Sequence, residues 1–317
     1  MPDHRARSTA AASPSKELVR DLLARDLEDL LAQADELRRS VWGDRVSFCA
    51  IINARCGVCG EDCAFCAQSS RYDTGVQPYP LVGADEMVEA ARRAELGGAR
   101  RLGIVTSGAA VSDAELDRIC RSVARVRRET AILPCASLGE LSAPAARRLA
   151  EAGLSRYHHN LETSARFFPR ICTTHAYDDR VRTVRVALDA GLPVCSGGLF
   201  GMGESWDDRV DLALALGELG VSSVPVNFLM PVPGTPLAAM TPLDPEDALR
   251  VIALFRLLLP EAEVRVCGGR HVALAGAGDL IYRAGATGAM VGDYLTQPGR
   301  DPGLDMQTAA RLGLRVV

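Results

Sequence analysis

From Val46 onward the chain repeats one unit: an apolar, β-branched run, a loop, an amphipathic helix, then a glycine before the next run. The glycines stand in ELGGARRLGIVTSG around Gly97, LAEAGLSRYHHN around Gly153 and ALDAGLPVCSGG around Gly191. LGELGVSSVPVNF around Gly220 and YRAGATGAMVG around Gly285 continue the series. Glycine suits the left-handed position that closes a helix, and a strand begins within a few residues. Ser112-Asp113-Ala114-Glu115 has the spacing of a capping box at a helix start. Strands are predicted near 46–54, 101–107, 130–136, 155–161, 193–199, 222–229, 263–268 and 288–292. Strands alternating with helices make a parallel sheet, and this number of units predicts an α/β fold closed as a (β/α)8 TIM-type barrel. An open doubly wound sheet would carry a Gly-rich dinucleotide fingerprint after its first strand, where this chain has a cysteine loop. Residues 14–40 predict a helical lead-in, with Leu18, Leu22, Leu30 and Leu37 at helical spacing. The expected organisation is a disordered tail over 1–13, that lead-in, and one barrel domain with a short C-terminal tail over 41–317.

The 317 residues are 48% hydrophobic and 24% charged, enough for one large core. A net charge of -4 gives no reason to expect nucleic acid or an anionic membrane face as partner. No apolar run approaches the roughly 20 residues that span a bilayer. The opening MPDHRARSTAAAS lacks the apolar segment of a secretory signal, so a cytoplasmic, reducing compartment is expected. There, ten cysteines point to metal or redox chemistry rather than to disulfides.

Three of those thiols, Cys59, Cys63 and Cys66 in CGEDCAFCAQSSRY, are spaced C-x3-C-x2-C with no fourth nearby. In the barrel they fall in the loop after the first strand, on the C-terminal rim where barrel enzymes place chemistry. A structural zinc ion takes four nitrogen or sulfur ligands, and no matching second pair follows. A four-iron cluster held by three thiolates keeps one iron open to another ligand.

This spacing in this place resembles the radical S-adenosylmethionine enzymes. The resemblance implies that the open iron of a [4Fe–4S] cluster on Cys59, Cys63 and Cys66 chelates S-adenosylmethionine, which is cleaved to a radical that abstracts a substrate hydrogen. Gly197-Gly198-Leu199-Phe200-Gly201-Met202-Gly203-Glu204 is similar to the adenine-side segment of that superfamily. It implies cofactor contacts at Gly197, Leu199, Gly201 and Glu204, with Phe65 of the cysteine loop. YHHNLETS at 157–164, VPVNFLMPVPGTPL at 224–237 and VRVCGGR at 264–270 complete a resemblance to the biotin synthases, in order from about Val41 to the C-terminus. That family inserts sulfur into dethiobiotin, drawing it from a second iron–sulfur cluster deeper in the barrel.

Candidate ligands for the auxiliary cluster are Cys135, Cys195 and Cys267, on the third, fifth and seventh predicted strands. Inward residues of one barrel layer come from alternate strands, so the three could meet at one level. Arg265 shares a strand face with Cys267 and matches the family's unusual arginine ligand. The pattern also departs from the family, because Gly103 stands where a second-strand cysteine is usual and Cys267 where one is not. Two cysteines and an arginine make a poor [2Fe–2S] site, so a four-iron cluster on Cys135, Cys195 and Cys267 is the favoured alternative. Asn160 and Asn227 match asparagines that hold dethiobiotin, and Glu162 stands where an aspartate normally binds the adenosyl ribose. His158, Asn160 and Glu162 alternate along the fourth predicted strand. Cys49, Cys56, Cys120 and Cys172 read as structural. The resemblance further implies a flavodoxin or ferredoxin as electron donor and a homodimer. Two alternatives stay open at this point. One is a related radical enzyme without sulfur insertion, which a dispersed Cys135, Cys195 and Cys267 would favour, and the other is a non-enzymatic metal-binding module.

Overall fold

Parallel strands β1 (Arg45–Arg55), β2 (Arg101–Thr106), β3 (Leu133–Ser137), β4 (Arg156–His158) and β5 (Val194–Cys195) pair in sequence order. After β6 (Gly198–Phe200), β7 (Ser223–Phe228), β8 (Glu263–Val266) and β9 (Gly288–Met290) continue the ring, and β9 pairs with β1 to close it. The computed structural model describes residues 16–317; the expected tail over 1–13, and Pro14 and Ser15 of the lead-in, lie outside the described residues. The lead-in forms α1 (Lys16–Leu23) and α2 (Leu27–Trp42). The outer layer is α3 (Ala84–Leu96), α4 (Asp113–Glu129), α5 (Ala143–Glu151), α6 (Tyr177–Asp189), α7 (Trp206–Leu219) and α8 (Pro245–Leu258). A single turn α9 (Arg270–Ala273), α10 (Pro302–Arg311) and a short strand β10 (Arg315–Val316) end the chain, with β10 pairing alongside β1.

All eight predicted strand positions are present, and the local signals behind them act as expected. Ser112 and Glu115 exchange the two hydrogen bonds of a capping box at the start of α4. Gly153, Gly191, Gly220 and Gly285 take positive φ after their helices; after α3 it is Gly98, at φ 78°, that takes this conformation rather than Gly97. Outward residues such as Leu102, Ile104 and Ala136 pack against Ile119, Val123 and Leu149 of the helices. Burying each such leucine, isoleucine or valine side chain stabilises the fold by about 1.5–3 kcal/mol.

The third strand begins at Leu133 rather than at 130, and two strands next to the site depart in course from the prediction. The fifth, expected over 193–199, breaks at Ser196–Gly197, and its second half, β6, pairs with β7. A Cβ on Gly197 would stand 2.0 Å from the Pro225 carbonyl oxygen, and one on Gly198 2.7 Å from that of Glu162. The backbone crosses here at a distance that only glycine permits. The fourth, expected over 155–161, ends at His158. The N–H groups of Leu161 and Glu162 both turn to the Gly197 carbonyl, and Glu162 sits at φ 69°. Left-handed backbone at a non-glycine residue costs on the order of 1–3 kcal/mol.

Candidate metal centres in the barrel mouth

The long β1 delivers the chain to the rim, where a strained turn reverses it. Gly57 is at φ 71° and Val58 at φ 53°, the latter a position that β-branched residues avoid. The cysteine loop is then fixed by its own backbone. Cys59 donates its N–H to the Gln68 carbonyl at 3.2 Å, Ser70 to that of Cys59 at 2.8 Å, and Cys66 to that of Cys63 at 2.9 Å. Arg71 Nε adds a 2.8 Å bond to the Gly60 carbonyl. Cys59, Cys63 and Cys66 thereby face one cavity of about 200 Å³, together with Phe65, Glu162 and Arg180.

A wider cavity of about 380 Å³ continues from Cys66 down the barrel axis. Its upper wall carries Phe65, His158, Asn160, Glu162, Leu199 and Asn227. Its floor carries Cys135, Cys195, Cys267 and Arg265, so the three candidate auxiliary ligands and the arginine converge on one space. Cys49 of β1 joins them there.

The upper polar groups are tied to the crossing glycines. Asn160 Oδ1 accepts the Gly197 N–H at 3.1 Å. Asn227 Nδ2 donates to the Gly198 carbonyl at 3.0 Å, while its Oδ1 accepts the Gly268 N–H at 3.0 Å. Each amide keeps one N–H for a ligand. Burial raises the Glu162 carboxyl against the opposing pull of Arg180, whose Nη1 lies 3.7 Å away. Burial lowers the His158 imidazole, so it is neutral at physiological pH.

Glu204, Gly201 and Gly197 line neither cavity. The Glu204 carboxylate accepts the N–H groups of Gly201 at 3.1 Å and Met202 at 2.8 Å and pairs with Arg209 Nε at 2.9 Å. It holds the glycine loop in shape from behind, while Leu199 reaches the cavity.

The floor carries an unusual amount of positive charge. Arg101, Arg156 and Arg265 all line it. Arg156 forms a two-pronged pair with Glu263, at 2.9 and 3.2 Å, and Arg265 reaches the same carboxylate at 3.1 Å. Although burial opposes it, Arg156 and Arg265 bring the Glu263 carboxyl down to about 2. The neighbouring Cys267 and the Arg265 charge lower the Cys49 thiol against its burial, while Cys49 and burial raise the Cys267 thiol against the pull of Arg265.

At the rim, burial pushes the Cys66 thiol up to about 11. The Cys63 sulfur lies 3.9 Å from that of Cys172, and Cys172 is 3.2 Å from His175 Nδ1. Ligand atoms of Cys63, Cys172 and His175 lie within 4.8 Å of one another. This group takes one thiol from the rim triad and leaves Cys59 and Cys66 out. Cys172 lines neither cavity, and the His175 ring is held by Glu61 at 2.7 Å. The donor chemistry at the mouth thus fits an open three-thiolate cluster facing a cavity better than a lone tetrahedral ion.

Residues 55–216 match the Radical SAM superfamily, and residues 225–315 match the Biotin and Thiamin Synthesis associated domain. The biotin synthase of Nitratidesulfovibrio vulgaris is 49% identical over 305 residues, 93% of this chain and 84% of that one. That of Trichlorobacter lovleyi is 52% identical over 289 residues, 91% and 87% of the two chains. The chain belongs to the biotin synthase family. Among solved structures, methylornithine synthase superposes with a TM-score of 0.83 at 19% identity, over 96% of this chain and 94% of that one. The hydrogenase maturase HydG of Carboxydothermus hydrogenoformans gives 0.82 at 16%, over 96% and 76%. At those identities the likeness is one of fold.

Within the biotin synthase frame, the positions that sequence reasoning passed over are Cys49, Cys172, Arg101 and Arg156. Cys49 had a visible signal, because it alternates with the fully buried, outward Val46 and Phe48 and so belongs to the inward face of β1. Cys172 had none, since its approach to Cys63 is made by two loops far apart in sequence.

Proposed function

We propose that this chain converts dethiobiotin to biotin by sulfur insertion that depends on S-adenosylmethionine. As a member of the biotin synthase family it is a sulfur-inserting radical enzyme. The observation that carries the reading is the continuity of the site: Cys66 at the rim and Cys135, Cys195, Cys267 and Arg265 at the floor open into the same cavity. A rearranging enzyme with a rim cluster alone has no use for those buried thiols.

In this reading Cys59, Cys63 and Cys66 would hold the [4Fe–4S] cluster, and Phe65, Glu162 and Leu199 would contact S-adenosylmethionine. Cys135, Cys195 and Cys267 hold an auxiliary cluster, with Arg265 beside it. When bound, the first group supplies hydrogen-atom abstraction and the second supplies sulfur. The protein's part is to orient and to exclude water. Asn160 and Asn227 each offer a free N–H between the two levels, which suits the oxygen of a cyclic urea. Phe65, Val105, Phe228, Leu229 and Leu295 make the wall between them apolar, which keeps water from a reactive intermediate. Glu162 with Arg180 presents an acceptor for ribose hydroxyls. By resemblance, a flavodoxin or ferredoxin delivers the electron and the enzyme is a homodimer. No helix among the described residues is long and apolar enough to cross a membrane, and the free thiols suit a reducing cytoplasm.

Anaerobic incubation of the reduced protein with dethiobiotin and S-adenosylmethionine tests the assignment. Biotin and 5′-deoxyadenosine are expected together. 5′-Deoxyadenosine or methionine without a sulfur-containing product would keep the radical chemistry and remove the substrate.

A further inference from the structure

Cys172 faces a rim thiol across a clasp of hydrogen bonds. Ala64 donates its N–H to the Ile171 carbonyl at 2.8 Å, and Asp62 donates its own to Thr174 Oγ1 at 3.2 Å. The two residues that flank Cys63 are thus both tied to the segment 171–174, which holds the Cys172 sulfur 3.9 Å from that of Cys63. Both thiols are buried among Phe167, Phe168, Ile171, Met202 and Leu229.

Where the Cys172 proton goes follows from what its other neighbours already do. Asp62 Oδ1 lies 3.3 Å from the sulfur, but it accepts the N–H groups of Thr173 at 2.8 Å and Thr174 at 3.2 Å. Those two donors fill its lone pairs. Thr174 Oγ1, 3.5 Å away, accepts the Asp62 N–H and donates to Glu61. His175 Nδ1 stands 2.7 Å from Glu61 Oε2 and 3.2 Å from the Cys172 sulfur. A carboxylate only accepts, so this nitrogen carries the hydrogen and is no acceptor for a thiol.

The Cys63 sulfur is the favoured acceptor that remains. A cysteine that binds metal does so as the thiolate. A charged acceptor makes a hydrogen bond roughly twice as strong as a neutral one, which matters for a donor as weak as S–H. The apolar surroundings strengthen it further.

From this geometry we infer that Cys172 is a positioning residue for the radical chemistry: its thiol donates a hydrogen bond to the Cys63 sulfur and thereby raises the reduction potential of the rim cluster. The inference rests on the rim-cluster reading above and adds to it a residue that binds no iron. Reduction by one electron adds negative charge in an apolar pocket, and a donor aimed at a ligand sulfur favours the more negative state. Glu61 and His175 keep that donor aimed. Cys172 therefore eases the step that the external electron donor has to drive.

The test is a redox titration of anaerobically purified protein, read by electron paramagnetic resonance of the reduced rim cluster, with iron assayed beside it. The rim signal is the one that S-adenosylmethionine perturbs. Cys172→Ala removes the donor, and its ratio of reduced to oxidised cluster at a fixed potential should fall roughly tenfold, about 59 mV for one electron. Cys172→Ser keeps a donor and should stay near wild type, and both variants should keep wild-type iron. Cys172→Ala at the wild-type potential overturns the inference, as do equal shifts in both variants, which would report packing alone. Loss of iron from Cys172→Ala overturns it too, because Cys172 would then support the cluster loop itself. Each of those outcomes leaves the proposed function standing. Wild-type protein without a signal that S-adenosylmethionine perturbs removes the rim cluster, and with it both the proposed function and this inference. Should Cys172→Ala not fold, Cys172→Val, which fills the space without a donor, is read by the same criteria.

Discussion

Arg156 on β4 and Glu263 on β8 join opposite walls of the barrel through two parallel hydrogen bonds, 2.9 and 3.2 Å long. The pair is the brace beneath the cysteine floor, and Arg265 shares its carboxylate. Removing one member leaves a buried charge without its partner, which costs about 3–5 kcal/mol. Glu263→Ala is therefore expected to lower the unfolding free energy of the metal-free chain by about 3–5 kcal/mol, read as a lower urea midpoint at an unchanged m-value.

The same carboxylate sets a pH dependence. Its folded-state pKa is depressed to about 2, below the ordinary value of about 4.3, so its contribution is complete above the ordinary value. That contribution is lost as pH falls from about 4.3 towards about 2. Urea titrations of the metal-free chain should show stability declining through that window. Glu263→Gln should remove this part of the decline, and an unchanged slope would refute the pairing.

Glu204 shapes the glycine loop from which Leu199 reaches the cavity. Glu204→Gln keeps an oxygen for the Gly201 and Met202 N–H groups but loses the charge facing Arg209. Affinity for S-adenosylmethionine should fall roughly tenfold, about 1.4 kcal/mol. Iron at the rim should stay at its wild-type level. Calorimetric titration beside an iron assay separates the two, because loss of iron would mean that Glu204 supports the cluster loop instead.

Cys172 distinguishes an open cluster from a lone ion. The open site needs only Cys59, Cys63 and Cys66, so Cys172→Ala should retain the rim cluster and its cleavage of S-adenosylmethionine. Cys59→Ala should lose both. A site made of Cys63, Cys172 and His175 would give the reverse pattern.

Gly103 pairs with Cys135 in the β2–β3 ladder and faces the cavity. A Cβ there would meet Ile51 Cγ2 at 3.2 Å, a contact relieved by a small side-chain shift. Gly103→Cys is expected to fold, its crowding cost of about 1–3 kcal/mol partly offset by removing a glycine from a strand. A melting temperature within several degrees of wild type would agree. Collapse of the fold would mean that the floor has no room for a thiol on β2.

Which residues are candidate ligands at the rim was legible in local sequence. Three thiols within eight residues cannot separate far whatever surrounds them, so Cys59, Cys63 and Cys66 read as one candidate ligand set before any fold is known. The strand and helix positions were legible for a related reason, since apolar period and helix-closing glycines are properties of short segments. The ends of β4 and β5 were not. Their course depends on Gly197 passing against Pro225 and on Glu162 turning to the Gly197 carbonyl, contacts between segments distant in the chain. For the same reason the floor was half seen. Cys135, Cys195 and Cys267 were nameable by their strands, but that Cys49 stands with them, and that Arg101, Arg156 and Arg265 crowd beneath with one carboxylate among them, follows from the register in which the barrel closes. No single stretch of sequence carries that register, because it is set by the packing of every strand against its neighbours.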